Sequence, residues 1–257
     1  MLEAYLRSRL EEKEILLMTH IVIGYPSLEE SFEIVRAMVA AGVDLMELQI
    51  PFSEPIADGP VILHANQKSL GAGTTVAKCL DFGRRAASEF DIPLLFMSYY
   101  NILFKYGVSR FVDEMAAADI RGAIVPDLPP EEGGDYLAAM QTRDLAPIFI
   151  FSPQSSPARL TTLAAHAGGF VYCVARKGVT GLDTRFSRDL ASYLERCRQA
   201  TPLPLALGFG VKDRQDVDFL RGKANIAVIG TATIDLVDRE GVAAVGPFIE
   251  GLTGFDL

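Results

Sequence analysis

The chain has 257 residues, 49% of them hydrophobic, which is enough for one large α/β barrel or two ordinary domains with a sizeable core. Lys plus Arg is 24 against 33 Asp plus Glu, a formal net charge of -9. That balance argues against a nucleic-acid binder, which carries a basic patch. The three cysteines, Cys79, Cys173 and Cys197, show no metal-type spacing and fit a reducing cytosol. No apolar run reaches membrane-span length, and the charged start M-L-E-A-Y-L-R-S-R-L-E-E-K-E reads as no signal peptide, so a cytoplasmic protein is expected.

In chain order, residues 2–13 form an amphipathic helix with Leu2, Tyr5, Leu6 and Leu10 on one face. An apolar run over 15–23 ends at the turn signal Gly24-Tyr25-Pro26. Ser27, with Glu29 and Glu30 behind it, opens a helix reaching Ala41. The second strand spans 43–50, and helices follow over 60–71 and 75–89. A third strand covers 92–98, followed by helical pieces at 100–105 and 108–118. The fourth strand, 122–125, ends in Pro126-Asp127-Leu128-Pro129, and a helix at 131–143 leads to a fifth strand at 146–151. A helix at 157–167 precedes a sixth strand at 169–174. The last two strands are 203–207 and 226–229, with helices near 186–199 and 212–220. A short helix at 232–237 and a final one at about 239–252 complete the chain.

That is eight strands, each followed by helix, with no linker or break in composition. No G-x-G-x-x-G follows the first strand, which sets aside a dinucleotide-binding open sheet. The pattern predicts a single (β/α)8 TIM barrel over 1–257, with an extra N-terminal helix and a short phosphate-site helix after strand eight. Function is then expected at the C-terminal ends of the strands.

The most informative stretch is 43–60, V-D-L-M-E-L-Q-I-P-F-S-E-P-I-A-D-G-P. Glu47 interrupts an apolar strand, where an unpaired charge costs several kcal/mol; it is paired, protonated or in use. Pro51 stops the strand, and the loop beyond carries a second acid, Asp58. Two carboxyl groups in unlike surroundings can hold their protons differently, as acid–base chemistry requires. Three glycine-bearing turns follow the last three strands: Arg176-Lys177-Gly178-Val179-Thr180-Gly181, Gly208-Phe209-Gly210 and Gly230-Thr231. Each alone reads equally as an ordinary tight turn; three on adjacent strands point to a phosphate cradle. His20, His64 and His166 are scattered and read as no metal site. Tyr99 and Tyr172 read equally as core aromatics, and Asp127 as a loop brace.

These residues resemble the tryptophan synthase alpha subunit family nearly end to end. The likeness runs through Glu47-Leu48, Pro51-Phe52-Ser53, Ala57-Asp58-Gly59-Pro60, Tyr99 with Asn101, Asp127 with Pro129, Gly178-Val179-Thr180-Gly181, Gly208-Phe209-Gly210 and Gly230. The resemblance implies a TIM barrel and the metal-free retro-aldol cleavage of indole-3-glycerol phosphate to indole and glyceraldehyde 3-phosphate. No cofactor is implied, and the implied partner is a pyridoxal-phosphate beta subunit in an α2β2-type complex. By that resemblance Glu47 is the catalytic acid/base and Asp58 the second catalytic acid. Tyr172 positions substrate, Thr180 closes a mobile loop on Asp58, and Gly181, Gly210, Gly230 and Thr231 bind phosphate. His20, Met97, Tyr99 and Phe209 fall among the substrate-contacting positions.

The chain departs from the family pattern at several points. Gln49 stands where glycine is usual, two residues from Glu47 on the same strand face, where it would crowd or bond the catalytic group. Glu54 replaces an aspartate, His20 an apolar residue, Pro126 an alanine and Thr231 a serine. Three other readings follow from the residues: a Schiff-base aldolase using Lys177, a free-standing lyase that releases indole, and a regulatory subunit weakened by Gln49.

Overall fold

The computed structural model describes residues 2–175, 183–208 and 210–253. Helix α1 (Leu2–Glu12) leads into β1 (Leu16–Val22), α2 (Leu28–Ala40) and β2 (Leu45–Gln49). Two helices, α3 (Pro60–Gly71) and α4 (Val76–Glu89), precede β3 (Leu94–Met97), and two more, α5 (Tyr100–Tyr106) and α6 (Val108–Ala117), precede β4 (Gly122–Ile124). Then come α7 (Gly134–Thr142), β5 (Ala146–Ile148), β6 (Ile150–Phe151), α8 (Pro157–His166), β7 (Val171–Val174) and α9 (Asp183–Ala200). The chain continues through β8 (Leu205–Gly208), α10 (Arg214–Leu220), β9 (Ile226–Ile229), α11 (Thr231–Glu240) and α12 (Val245–Thr253).

All strand pairings are parallel, in the order β5-β4-β3-β2-β1-β9-β8-β7-β6. The two ends of that order are consecutive in the chain, with only Phe149 between them. The first half of this strand pairs with β4 and the second with β7, while the Phe149 carbonyl accepts the Tyr172 N–H at 3.0 Å. One bent strand thus joins both edges of the sheet, and the predicted eight barrel strands are recovered with residues 146–151 as the fifth.

Alternation along each strand divides the apolar residues into two sets. Leu16, Met18, Leu45, Leu95, Ile124, Ile148, Ala206, Ile226 and Val228 fill the barrel. Leu17, Ile21, Met46, Leu48, Phe96 and Leu207 face outward to the helices. Leu2 and Leu6 of α1 join the interior set, so α1 plugs the barrel floor. It is fastened there by Asp44, 2% exposed, whose Oδ1 meets Lys13 Nζ at 2.7 Å and Arg9 Nη2 at 3.2 Å, and whose Oδ2 accepts the Leu17 N–H at 3.0 Å.

The C-terminal region differs from the sequence expectation. The helix after β9 starts at Thr231 and runs ten residues, rather than spanning only 232–237. Gly241, at φ 79°, ends it, and a 3-10 turn at Val242–Ala244 separates it from α12. A glycine in that left-handed conformation is a common helix stop. The break expected at 238 therefore lies at 241–244, and the final helix starts at Val245 rather than 239.

Leu6 is fully buried among the barrel-filling side chains. Leu6→Ala is expected to lower unfolding free energy by about 3 kcal/mol, through lost burial plus a cavity. Urea titration tests this, with the midpoint falling and the slope unchanged.

Candidate active site

A cavity of about 1470 Å³ opens at the C-terminal ends of the strands. Alternation aims Glu47 and Gln49 inward with Leu45, and His20 inward with Met18. The register of β1 on β2 sets His20 directly beside Glu47 and Val22 beside Gln49. His20 and Glu47 are 3% and 5% exposed, and His20 Nδ1 lies 2.6 Å from Glu47 Oε1. Glu47 Oε2 and His20 Nε2 are buried without a hydrogen-bond partner.

Asp58 is reached from the same strand. Gln49 Nε2 donates to Asp58 Oδ2 at 2.7 Å, and the Tyr99 hydroxyl donates to the same oxygen at 3.2 Å. Tyr99 also accepts the Ala57 N–H at 3.1 Å and stacks on Phe52 with centroids 5.0 Å apart. Asn66 of α3 fixes the start of the loop, accepting the Phe52 N–H at 2.9 Å. Gln49 therefore bonds the loop acid, not Glu47 as its strand face alone implied. The bond spans two secondary-structure contexts, which no strand periodicity reveals. Asp127 braces the turn into α5, accepting the Tyr100 N–H at 2.8 Å.

Removal from water dominates the electrostatics. Burial alone would push the His20 imidazole down, but the Glu47 carboxylate, with Asp58 and Gln49 adding to it, holds it above the ordinary histidine value. Burial pushes Asp58 up, against the opposing pull of Gln49, His20 and Tyr99. The Tyr172 hydroxyl is driven well above the ordinary tyrosine range by burial and by the charges of Glu47 and Asp58, so it stays protonated.

The other predicted residues lie as follows. Met97, Tyr172, Gly210, Gly230 and Thr231 line the cavity with His20, Glu47 and Asp58. Tyr99, 1% exposed, acts on the cavity through Asp58. Gly208 leaves room for Tyr172: a Cβ there would sit 2.9 Å from its hydroxyl oxygen. Gly230 caps α11, and Thr231 and Ala232, which open that helix at its partially positive end, line the cavity. Thr180, Gly181, Phe209 and Lys177 lie outside the described residues. Sequence reasoning missed Asn66 and the His20–Glu47 bond. The available signal was two polar interruptions, His20 and Glu47, in neighbouring apolar strands. Among the described residues no group of three or more His, Cys, Asp or Glu could hold a metal ion.

The family model described as "Tryptophan synthase alpha chain" matches residues 6–245. The tryptophan synthase alpha chain of Desulforapulum autotrophicum is 64% identical over 98% of this chain and 100% of its own length. That of Syntrophotalea carbinolica is 62% identical over the same shares. Among solved structures, a chain of tryptophan synthase from M. tuberculosis in its aminoacrylate-bound form superposes with a TM-score of 0.89. It is 28% identical and covers 98% of this chain and 97% of its own. Likeness of this depth, running through the strands and loops that build the cavity, goes well past a shared barrel, and the chain belongs to the tryptophan synthase alpha chain family, carbon–carbon lyases of tryptophan biosynthesis that act on indole-3-glycerol phosphate.

Proposed function

We propose that Glu47 and Asp58 carry the family's retro-aldol cleavage of indole-3-glycerol phosphate, with Glu47 as acid/base and Asp58 as acceptor of the indole N–H. The observation that carries this reading is the placement of both carboxyl groups on one cavity, with Glu47 Oε2 buried and free of any hydrogen bond. A proton added to ring carbon C3 makes an indoleninium, which takes the electron pair of the breaking carbon–carbon bond. The hydroxyl on the adjoining carbon loses its proton and becomes the aldehyde carbonyl. Glu47, shielded from water, suits both transfers. Asp58, ionised, stabilises positive charge as it develops on the ring.

The glycerol phosphate tail lies toward Gly210, Gly230 and Thr231, where backbone amides at the start of α11 favour an anion. Met97 and Tyr172 flank the ring. By the family resemblance Thr180, Gly181 and Phe209 also bind substrate. Residues 1–257 act as one domain, in the cytoplasm, within an α2β2-type complex that passes indole to the beta subunit. Support for docking at this rim comes from Phe104 of α5, 70% exposed, and Ile56 of the Asp58 loop, 81% exposed, both just beyond strand C-termini.

Glu47→Gln is expected to lower the rate of indole release by about 10²–10⁴, the span of a lost general acid–base group; a rate near that of the parent would remove Glu47 from the chemistry. Asp58→Asn is expected to cost about 10² in rate yet to stabilise the fold at pH 7. The sign follows from burial: the folded state prefers the protonated carboxyl, so the charge costs stability once pH rises through the ordinary aspartate value, and fully above the raised one. Thermal melts should show the variant ahead at pH 7 and level with the parent near pH ~3, below the unperturbed aspartate value. Phe104→Asp is expected to weaken assembly with the beta subunit at least tenfold, by analogy with apolar anchors at interfaces. Titration calorimetry measures that loss, and indole release by the isolated chain should be unchanged.

A further inference from the structure

The reaction needs one proton delivered to C3 and one removed from a hydroxyl, and both are assigned above to a single carboxyl group. That carboxyl does not stand alone. His20 and Glu47 are register partners on adjacent strands, both buried, with Nδ1 and Oε1 2.6 Å apart. The bond occupies one carboxyl oxygen and leaves Oε2 without a partner inside the protein. A buried carboxyl bonded through a single oxygen has a fixed plane and one oxygen committed to an incoming ligand.

We propose that His20 and Glu47 form one acid–base unit that holds a single titrating proton, with His20, bonded to Oε1, as the positioning residue and Glu47 Oε2 as the atom that exchanges that proton with substrate. This rests on the reading of Glu47 given above. With that proton on Oε2 and the Nδ1–H of a neutral His20 donated to Oε1, Oε2 gives its proton to C3 and takes back the one lost by the hydroxyl, so the unit ends each turnover as it began. The bond between C3 and the hydroxyl-bearing carbon breaks, its electron pair restores the indole ring, and the hydroxyl oxygen becomes the aldehyde oxygen. A unit with no proton cannot protonate C3. The alkaline limit of the pH profile therefore belongs to the pair and not to either residue.

The groups facing His20 favour this arrangement. From β2 come the Glu47 carboxyl and the neutral Gln49 amide; from the following loop comes Asp58, and from the turn between β3 and α5 the Tyr99 hydroxyl bonded to it. Tyr172 on β7 stays neutral. On the other side, β9 and its turn present Val228 and the backbone of Gly230, and a Cβ at Gly230 would lie 3.4 Å from that of His20. His20 is the one cationic candidate in contact with the acids, among the described residues.

The test uses two variants of the full chain, with kcat, KM and the pH profile of indole release read together. His20→Asn keeps an N–H near the Nδ1 position but cannot titrate. It should hold kcat at its optimum within about tenfold while the alkaline limb moves to lower pH by about one unit or more. His20→Phe removes the bond and should lower kcat by about tenfold to a hundredfold, with KM nearly unchanged, the cost of a misplaced reacting group. Parent-like kcat and parent-like limbs in both variants would overturn the proposal. So would a rise in KM with the limbs unmoved, which marks a merely structural or substrate-packing role. Should His20→Phe fail to fold, the alkaline limb of His20→Asn decides alone. A silent Glu47→Gln would instead overturn the underlying site reading, whatever the His20 variants do.

Discussion

The register of β1 against β2 is the constraint on which the site depends. In a parallel barrel, side chains alternate inward and outward, so a slip of one residue would turn His20 and Glu47 out into the helix layer and bring Thr19 and Met46 into the cavity. The apolar residues on both faces forbid that slip: Leu16, Met18 and Leu45 fit the barrel interior, while Leu17, Met46 and Leu48 fit against the helices. Core packing thus fixes which two ionisable groups meet.

Once they meet, loss of water determines how they behave. An isolated carboxylate in such a place would take up a proton, and an isolated imidazolium would lose one. Beside each other they can keep an ion pair that neither could keep alone. Asp58 is treated differently. Its partners, the Gln49 amide and the Tyr99 hydroxyl, are neutral donors, which ease a negative charge without supplying an opposite one. Two acids on one cavity are therefore held by unlike partners: Glu47 by a bonded imidazole, Asp58 by two neutral donors.

Much of this was legible in the residues. Glu47 stood out because a charge inside an apolar strand demands an explanation, and the glycine-bearing turns marked the ends of the last strands. Strand positions followed from short apolar runs between helical stretches. What stayed hidden depends on side-chain direction across elements. Gln49 could be assigned a face but not a partner, because Asp58 arrives from a loop whose path is set by Asn66 and Phe52. The partnership of His20 with Glu47 joins residues 27 apart in the chain, and only strand pairing brings them together.

The anchoring of α1 has a consequence for how the molecule tolerates change at its far end. Asp44 stands immediately ahead of β2, grips the Leu17 amide of β1 and receives the basic side chains of α1. A single carboxylate therefore pins the opening helix to the two strands that carry the acid–base residues, at the base of the cylinder rather than its mouth. Trimming or extending the chain at its start would thus be transmitted along two rigid staves to the reacting atoms, and variants that differ only in their leading residues are comparable in rate only when that clasp is intact.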